Sequence, residues 1–253
     1  MLELVYIFIV GLVFGSFYTV VGLRIPVGES ILKPASHCDN CHQSLKWYEL
    51  IPLVSYIISF GKCRNCNTKI PAYYFIVELL CGTLFALCYF LYGISYEFCA
   101  GIIISSVLII ILISDFKYLV ILDSPLVIGT ILIIGLKYCY FGSDATIKSL
   151  TSAFLMFMFL LMIKFVFDRV YKRESLGGGD IKLSLLSGAT LGIKLGLASL
   201  IVASFLAFPY AIYIIKKHKE KEIPFGPFLA GSLFLTFIFT EPIAKFISTF
   251  FLF

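Results

Sequence analysis

The sequence has 253 residues, of which 60% are hydrophobic and only 14% are charged. A soluble domain has roughly 25% charged residues, so this composition excludes an ordinary water-soluble globular protein. The formal net charge of +5 does not indicate nucleic-acid binding, because the basic residues fall mostly in loops between apolar runs. We therefore expect a protein that contacts membrane lipid and no nucleic acid.

Several apolar runs reach the roughly 20 residues that a helix needs to cross about 30 Å of hydrocarbon. They predict an all-α polytopic membrane protein with about eight transmembrane helices. The first run lacks a basic start and a small-residue cleavage site, so we interpret it as a retained anchor rather than a signal peptide. The predicted spans are 2–22, 73–92, 97–114, 120–140, 147–168, 181–192, 195–215 and 224–252.

One long hydrophilic segment separates the first two spans. We predict a first transmembrane helix at 1–22, a cytoplasmic loop domain at 23–72 and a membrane domain at 73–253. Lys and Arg stay preferentially on the cytoplasmic side of a membrane. With the N-terminus outside, 16 of the 20 Lys and Arg residues fall on that side when Lys164 is included. Besides the loop 23–72, the basic segments on the cytoplasmic side are 115–119, 169–182 and 216–223.

The loop contains two C-x-x-C pairs that are separated by 21 residues. This spacing is typical of a four-thiolate zinc ribbon, in which each pair forms a knuckle and one metal ion joins them. A closed site of four thiolates leaves no open position for catalysis, so the zinc is predicted to be structural. The alternative is a set of reduced structural cysteines, and His37 and His42 are expected to be surface residues. The predicted ligands are Cys38, Cys41, Cys63 and Cys66.

Two aspartates stand at the ends of apolar runs on the same predicted side of the membrane. Asp115 ends the third span, and Asp180 follows Gly177, Gly178 and Gly179 at the start of the sixth. The two spans between them return the chain to the same face, so the aspartates can meet. Adjacent carboxyl groups share a proton, which is the acid–base arrangement of aspartic proteolysis. The alternatives are a helix N-cap for Asp180 and a headgroup-facing residue for Asp115.

Two further acids are candidates for a supporting role. Asp123 lies eight residues after Asp115, inside the start of the fourth span. Glu78 lies inside the second span, where it could support the site, contact a basic residue of a substrate or hydrogen-bond a neighbouring helix. The glycine run lets the backbone approach closely, and the helix start after it favours an anion such as Asp180.

Taken in order, these motifs resemble those of the type IV prepilin leader peptidase/N-methyltransferase family, which are membrane aspartyl proteases of the GxGD type. The likeness runs from one end of the chain to the other and includes the double C-x-x-C loop. The other matching elements are Gly15-Ser16-Phe17, Arg24-Ile25-Pro26, Trp47-Tyr48-Glu49, Ile51-Pro52-Leu53, Val77-Glu78-Leu79-Leu80, Asp115 with Asp123, Gly177 to Leu183, and Pro224-Phe225-Gly226-Pro227-Phe228.

The resemblance implies that Asp115 and Asp180 are the catalytic pair. It implies a prepilin or pseudopilin substrate, cut after the glycine that ends a short basic leader, and methylation of the new N-terminal residue by S-adenosylmethionine. It also implies a multi-pass protein of the bacterial inner membrane with its active site facing the cytoplasm. Such substrates serve type IV pili, secretion or competence.

The residues leave alternatives to this interpretation. The chain could be a peptidase without methyltransferase activity. It could also be an ion-coupled transporter that uses the intramembrane acids, or a membrane scaffold that presents a zinc ribbon to a partner.

Overall fold

The computed structural model of the protein describes residues 1–172, 176–218 and 223–251, and in this part of the chain the regular structure is helical. The all-α prediction is therefore confirmed. Parts of the predicted segments 169–182 and 216–223, and the end of the last predicted span, lie outside the described residues. In chain order, the helices are α1 Leu2–Arg24, α2 Val54–Ile58, α3 Tyr73–Tyr92, α4 Tyr96–Tyr118, α5 Asp123–Tyr171, α6 Gly178–His218, α7 Gly226–Ile238 and α8 Thr240–Phe251.

Five of the described helices are long and apolar enough to cross a membrane, and the bent pair of α7 and α8 makes a sixth if it counts as one span. The chain is therefore a multi-pass membrane protein. With 49 residues in α5 and 41 in α6, the two helices would be about 74 Å and 62 Å long if straight. That is about twice the length of one crossing. Each helix is broken by a non-helical glycine, Gly142 in α5 and Gly192 in α6.

Contacts on either side of the two breaks show that the chain folds back at each of them. Lys137 Nζ and Ser149 Oγ both donate to the carbonyl oxygen of Ala189, at 2.7 and 2.6 Å. In a straight helix, residues 137 and 149 would stand about 18 Å apart. The hydroxyl groups of Ser187 and Ser199, which have the same spacing around the second break, are 3.1 Å apart. If α5 and α6 each count as two membrane segments, the five or six spanning helices of the described chain become seven or eight. The prediction of about eight membrane helices is therefore a good approximation.

The predicted last span is two helices rather than one, because α7 and α8 meet at an angle of 87°. Pro242 stands in the first turn of α8. A proline that continued α7 at this point would lose a backbone hydrogen bond and clash with the preceding turn. The hydroxyl of Thr240 instead donates to the carbonyls of Thr236 and Phe237 at 3.0 and 2.7 Å, which satisfies part of the end of α7.

The chain forms two compact units, residues 1–98 and 99–253. The first unit contains α1 to α3 with the cysteine loop, and the second contains most of α4 and all of α5 to α8. The division at residues 22 and 72 stays a prediction.

In the first unit, α1 and α3 cross closely. A Cβ atom at Gly11 would lie 2.8 Å from Gly82 Cα, and one at Gly15 would lie 2.8 Å from Cys81 Cβ. Small residues allow membrane helices to approach each other in this way.

In the second unit, α5 and α6 pack tightly at Gly188, where a Cβ atom would lie 2.6 Å from the carbonyl oxygen of Ser152 and 2.8 Å from Ala153 Cα. Because these neighbours are backbone atoms of α5, they can move only if the two helices separate. We expect Gly188→Ala to lower the free energy of unfolding by about 1–3 kcal/mol, measured as a lower thermal midpoint in detergent.

The matched control for this change is Gly135→Ala, because no atom lies within 4 Å of a Cβ at this helical glycine. Alanine is the better helix former, so the midpoint should stay unchanged or rise. If Gly188→Ala melts like the wild type, α5 and α6 are not packed as the structure describes.

Candidate active site and metal centre

The second unit brings Asp115 and Asp180 together. Asp115 lies in the last turn of α4, and Asp180 is the third residue of α6. Both are buried, with 5% and 6% of their surface exposed. The two residues lie near each other, because Ile121 packs against both Gly179, which precedes Asp180, and Gly226, which binds Asp115.

Backbone N–H groups hold each carboxyl group on one side. Gly226 N–H donates to Asp115 Oδ2 at 3.0 Å, and Gly177 N–H donates to the carboxyl group of Asp180. Asp180 is the third residue of α6, and its side chain accepts the N–H of Gly177, the residue directly before the helix. This is the half of a capping box that the third helical residue supplies. However, Asp180 Oδ1 is buried and has no hydrogen-bond partner among the described residues. A buried oxygen of this kind normally finds a partner, and a water molecule or a polar group of a substrate would supply one.

The side chain of Ile121 fills the space between two glycines of the site. A Cβ atom at Gly179 would lie 2.5 Å from Ile121 Cβ. A Cβ atom at Gly226 would lie 2.6 Å from Ile121 Cδ1 and 2.8 Å from Asp115 Oδ2. Any larger residue at these two positions would therefore displace Ile121 or the carboxyl group. A Cβ at Gly178 would meet open space.

Sequence reasoning missed Gly226 and Ile121 as parts of this site. For Gly226 there was a signal, since it belongs to the late Pro-Phe-Gly-Pro element, but the sequence attached no role to it. For Ile121 there was none, because one isoleucine among many apolar residues carries no distinguishing pattern.

An aromatic cluster adjoins Asp115. The ring of Phe116 lies 5.7 Å from that of Tyr210 and 6.3 Å from that of Phe228, and the last two rings are 5.4 Å apart. Phe116 is nearly half exposed. The buried carboxyl groups therefore have a partly exposed apolar surface beside them.

Asp123 forms an ion pair at the same end of the second unit. Both of its carboxylate oxygens lie 2.7 Å from Lys182 Nζ, so the pair joins the starts of α5 and α6. The two side chains are 60% and 47% exposed, and an exposed pair contributes only about 0–1 kcal/mol to stability. The structure thus places Asp123 in an ion pair with Lys182 rather than with the two buried carboxyl groups.

Glu78 belongs to the first unit, where it joins three segments. Its Oε2 accepts a hydrogen bond from Leu53 N–H at 2.9 Å, and its carboxyl group also bonds the side chain of Ser16 in α1. Leu53 precedes α2 and has a φ of +58°, which is an uncommon conformation for leucine. Among the predicted alternatives, this arrangement corresponds to a hydrogen bond between neighbouring helices.

The four loop cysteines form a cluster. Their Sγ atoms all lie within 4.8 Å of one another, with 3.7 Å between Cys38 and Cys66 and 3.9 Å between Cys41 and Cys63. Zinc bound to four thiolates at about 2.3 Å would give sulfur–sulfur distances of about 3.8 Å in a regular tetrahedron. The four cysteines can therefore hold a metal ion, and the geometry is compatible with zinc.

The two halves of the cluster have the same local structure. Cys38 N–H donates to Gln43 O, and Cys63 N–H donates to Thr68 O at the equivalent place. Hydrogen bonds with the side chain and backbone of Thr68 and with Asn40 lower the pKa of the Cys66 thiol to about 6, whereas the pKa of Cys38 is raised to about 11. Cys66 therefore readily forms the thiolate, which is the form that binds a metal ion. Neither His37 nor His42 belongs to the cluster in the described chain.

Replacing one cysteine of each knuckle, Cys38→Ser with Cys63→Ser, should remove the bound metal, because two thiolates do not close a tetrahedral site. The metal content per chain, measured by elemental mass spectrometry, checks this. Cys139→Ser is the matched control, since Cys139 is an exposed thiol outside the cluster, and it should retain the metal. Full metal content in the double variant would exclude the four-cysteine site.

The comparisons with known proteins follow the same division of the chain. Residues 9–92 match the bacterial peptidase A24 N-terminal domain, and residues 102–212 match the type IV leader peptidase family. The first range contains the cysteine cluster, and the second contains Asp115 and Asp180. No solved structure matches the chain.

Several curated relatives cover most of the chain. A protein of Myxococcus xanthus is 33% identical over 94% of this chain and 72% of its own length. A protein of Bacillus subtilis is 32% identical over 95% of this chain and 96% of its own length. One of Neisseria gonorrhoeae is 30% identical over 90% of this chain and 88% of its own length. All three are named prepilin leader peptidase/N-methyltransferase. The resemblance of the motifs is confirmed, and the chain belongs to the type IV leader peptidase family.

Proposed function

We propose that this protein is a membrane aspartic endopeptidase that removes the leader from prepilin or pseudopilin precursors and then methylates the new N-terminal residue. The observation that carries the peptidase activity is the buried pair of Asp115 and Asp180, in which Asp180 Oδ1 has no partner in the described chain. The names of the relatives support the substrate and the second activity.

Asp115 and Asp180 act as the catalytic residues and share one proton. The ionised carboxyl group takes a proton from a water molecule as the water oxygen attacks the scissile carbonyl carbon, and the protonated group donates to the carbonyl oxygen. The carbon–nitrogen bond then breaks, and the first group passes its proton to the leaving amine. One hydroxyl group of the tetrahedral intermediate gives its proton back to the carboxyl group that had protonated the carbonyl oxygen. The pair of aspartates thereby regains its single shared proton.

The contacts around the pair suit this chemistry. Gly226 N–H and Gly177 N–H each hold one side of a carboxyl group, which fixes its orientation before the substrate binds. The aromatic cluster of Phe116, Tyr210 and Phe228 provides an apolar surface beside Asp115. It suits the apolar helix that follows the cleavage site in the proposed substrate, while the basic leader remains in water.

The proposed location is the bacterial inner membrane, with the active site facing the cytoplasm. The Lys and Arg distribution supports this orientation, because 16 of these 20 residues fall on the cytoplasmic side in the predicted topology. The leader of the proposed substrate lies on that same side.

Zinc is the ion that we propose for Cys38, Cys41, Cys63 and Cys66. These thiolates would join the two knuckles through the metal and so hold the loop together, and no step of peptide hydrolysis runs through it. For methylation, S-adenosylmethionine would supply the methyl group. That proposal rests on the names of the relatives.

The test is the mass of a prepilin-like substrate produced with the wild-type protein and, in parallel, without it. Loss of the leader together with a gain of one methyl group is the expected result. Loss of the leader without a gain of mass would support the peptidase activity and contradict the methyltransferase activity. If none of several prepilins and pseudopilins is cut, the proposed substrate class is wrong.

A further inference from the structure

The cysteine loop carries a set of large apolar side chains that point away from its packed interior. Trp47 is 77% exposed and Phe60 is 88% exposed, although each lies in a segment that is polar overall. We call this set the apolar face of the loop. Its members are Trp47, Leu50, Val54, Ile57, Ile58 and Phe60.

The short helix α2 shows that the outward orientation is systematic. Val54, Ile57 and Ile58 have the spacing i, i+3 and i+4, so they share one side of the helix, and all three are exposed. On the other side, the ring of Tyr56 lies 5.3 Å from that of Phe75 in α3. A surface helix in water normally turns its apolar side inward. Here the aliphatic side faces outward, and exposed apolar surface of this kind marks an interaction site.

The contacts of α2 fix its depth relative to α3. Leu53 N–H, directly before α2, binds Glu78, which lies about 8 Å along the axis from the start of α3. Tyr56 packs on Phe75, in the first turn of α3. The 20 residues of α3 are about the number that one crossing requires, so its first turns lie in the interfacial layer of the bilayer. The apolar face therefore stands at the level of the lipid headgroups and the upper acyl chains.

The charge of the loop fits the same surroundings. Residues 23–72 contain six basic and three acidic side chains, and a positive excess of one charge remains when zinc with four thiolates adds two negative charges. Apolar residues combined with Lys and Arg are typical of segments that lie in the membrane interface. Basic residues next to a membrane are attracted by anionic lipids, and tryptophan is enriched at this level of the bilayer.

We propose that the apolar face of the loop is a membrane-docking surface. Its side chains insert among the headgroups and upper acyl chains of the bilayer that α1 and α3 cross. The loop is then anchored in three places, by the end of α1, by the start of α3 and by the lipid under α2. The cysteine cluster is thereby held at the membrane surface rather than free in the aqueous phase.

The chain offers a direct reporter, because Trp47 is its single tryptophan. The full-length protein would be placed in bilayers of phosphatidylethanolamine and phosphatidylglycerol. We expect Trp47 emission at shorter wavelength than indole in water, weak quenching by acrylamide and strong quenching by lipids brominated near the headgroup end of their chains. This measurement needs no variant that might fail to fold.

The matched reporter is Trp47→Phe combined with Gln43→Trp, which moves the tryptophan to an exposed position on the first knuckle, outside the apolar face. Acrylamide should quench this reporter strongly, and brominated lipid should leave it unaffected. Equal acrylamide quenching of both reporters, without quenching of Trp47 by brominated lipid, would overturn the proposal. So would a Trp47 signal that becomes protected only when a prepilin is added, because the surface would then bind the substrate.

Ile57→Ser with Ile58→Ser tests whether the aliphatic side of α2 carries the insertion. We expect acrylamide quenching of Trp47 to increase, with the metal content unchanged. Gln43→Ser is the control on the knuckle and should leave Trp47 as in the wild type. If acrylamide quenches Trp47 equally in the α2 variant and in the wild type, the aliphatic side of α2 does not insert into the bilayer as proposed.

Discussion

Asp115→Asn and Asp180→Asn are each expected to lower kcat for leader cleavage by at least about 10²–10⁴-fold, the range for loss of a general acid or base. Asparagine has nearly the size of aspartate, so packing around the site should survive. It cannot take a proton from water or give one to the carbonyl oxygen. The measurement is the rate of leader removal from a prepilin in reconstituted membranes.

The two aspartates should also behave as one unit. The double variant is expected to be no worse than either single variant, because residues that act together are not additive. Asp144→Asn is the matched control, since Asp144 is exposed and follows the break in α5, and it should cleave at the wild-type rate. Near-normal cleavage by both site variants, with normal membrane insertion, would end the aspartic peptidase assignment.

Gly226→Ala is expected to lower kcat by about 10²-fold, the size of effect that a displacement of about 1 Å produces at an active site. The added Cβ would lie 2.8 Å from Asp115 Oδ2 and 2.6 Å from Ile121 Cδ1. Both neighbours are too close, so Ile121 and the carboxyl group have to shift or the start of α7 has to move away, and the N–H of residue 226 then no longer donates to Asp115 as before. Chemistry should suffer more than substrate binding, so we expect a loss in kcat with little change in KM.

Gly231→Ala gives the matched comparison for that change. It lies in the same helix, α7, and no atom lies within 4 Å of a Cβ at this position. Cleavage should stay at the wild-type rate, and the thermal midpoint should stay unchanged or rise. If Gly226→Ala cleaved as fast as Gly231→Ala, the contact between residue 226 and Asp115 would have no part in positioning the carboxyl group.

The features that the sequence determined by itself depend on short-range patterns. The apolar runs predicted the helices, and the doubled C-x-x-C spacing predicted the cysteine cluster that the structure contains. The alternation of spans between Asp115 and Asp180 was enough to predict that the two aspartates could meet. Each of these inferences needs only local composition and the number of times that the chain crosses the membrane.

Tertiary structure alone decided the contacts between residues far apart in the chain. The hydrogen bond from Gly226 to Asp115 spans 111 positions, and the ion pair of Asp123 with Lys182 spans 59. The outward orientation of α2 likewise depends on Glu78 and Phe75 in α3. No periodicity encodes such partners, because they depend on how complete helices pack in three dimensions.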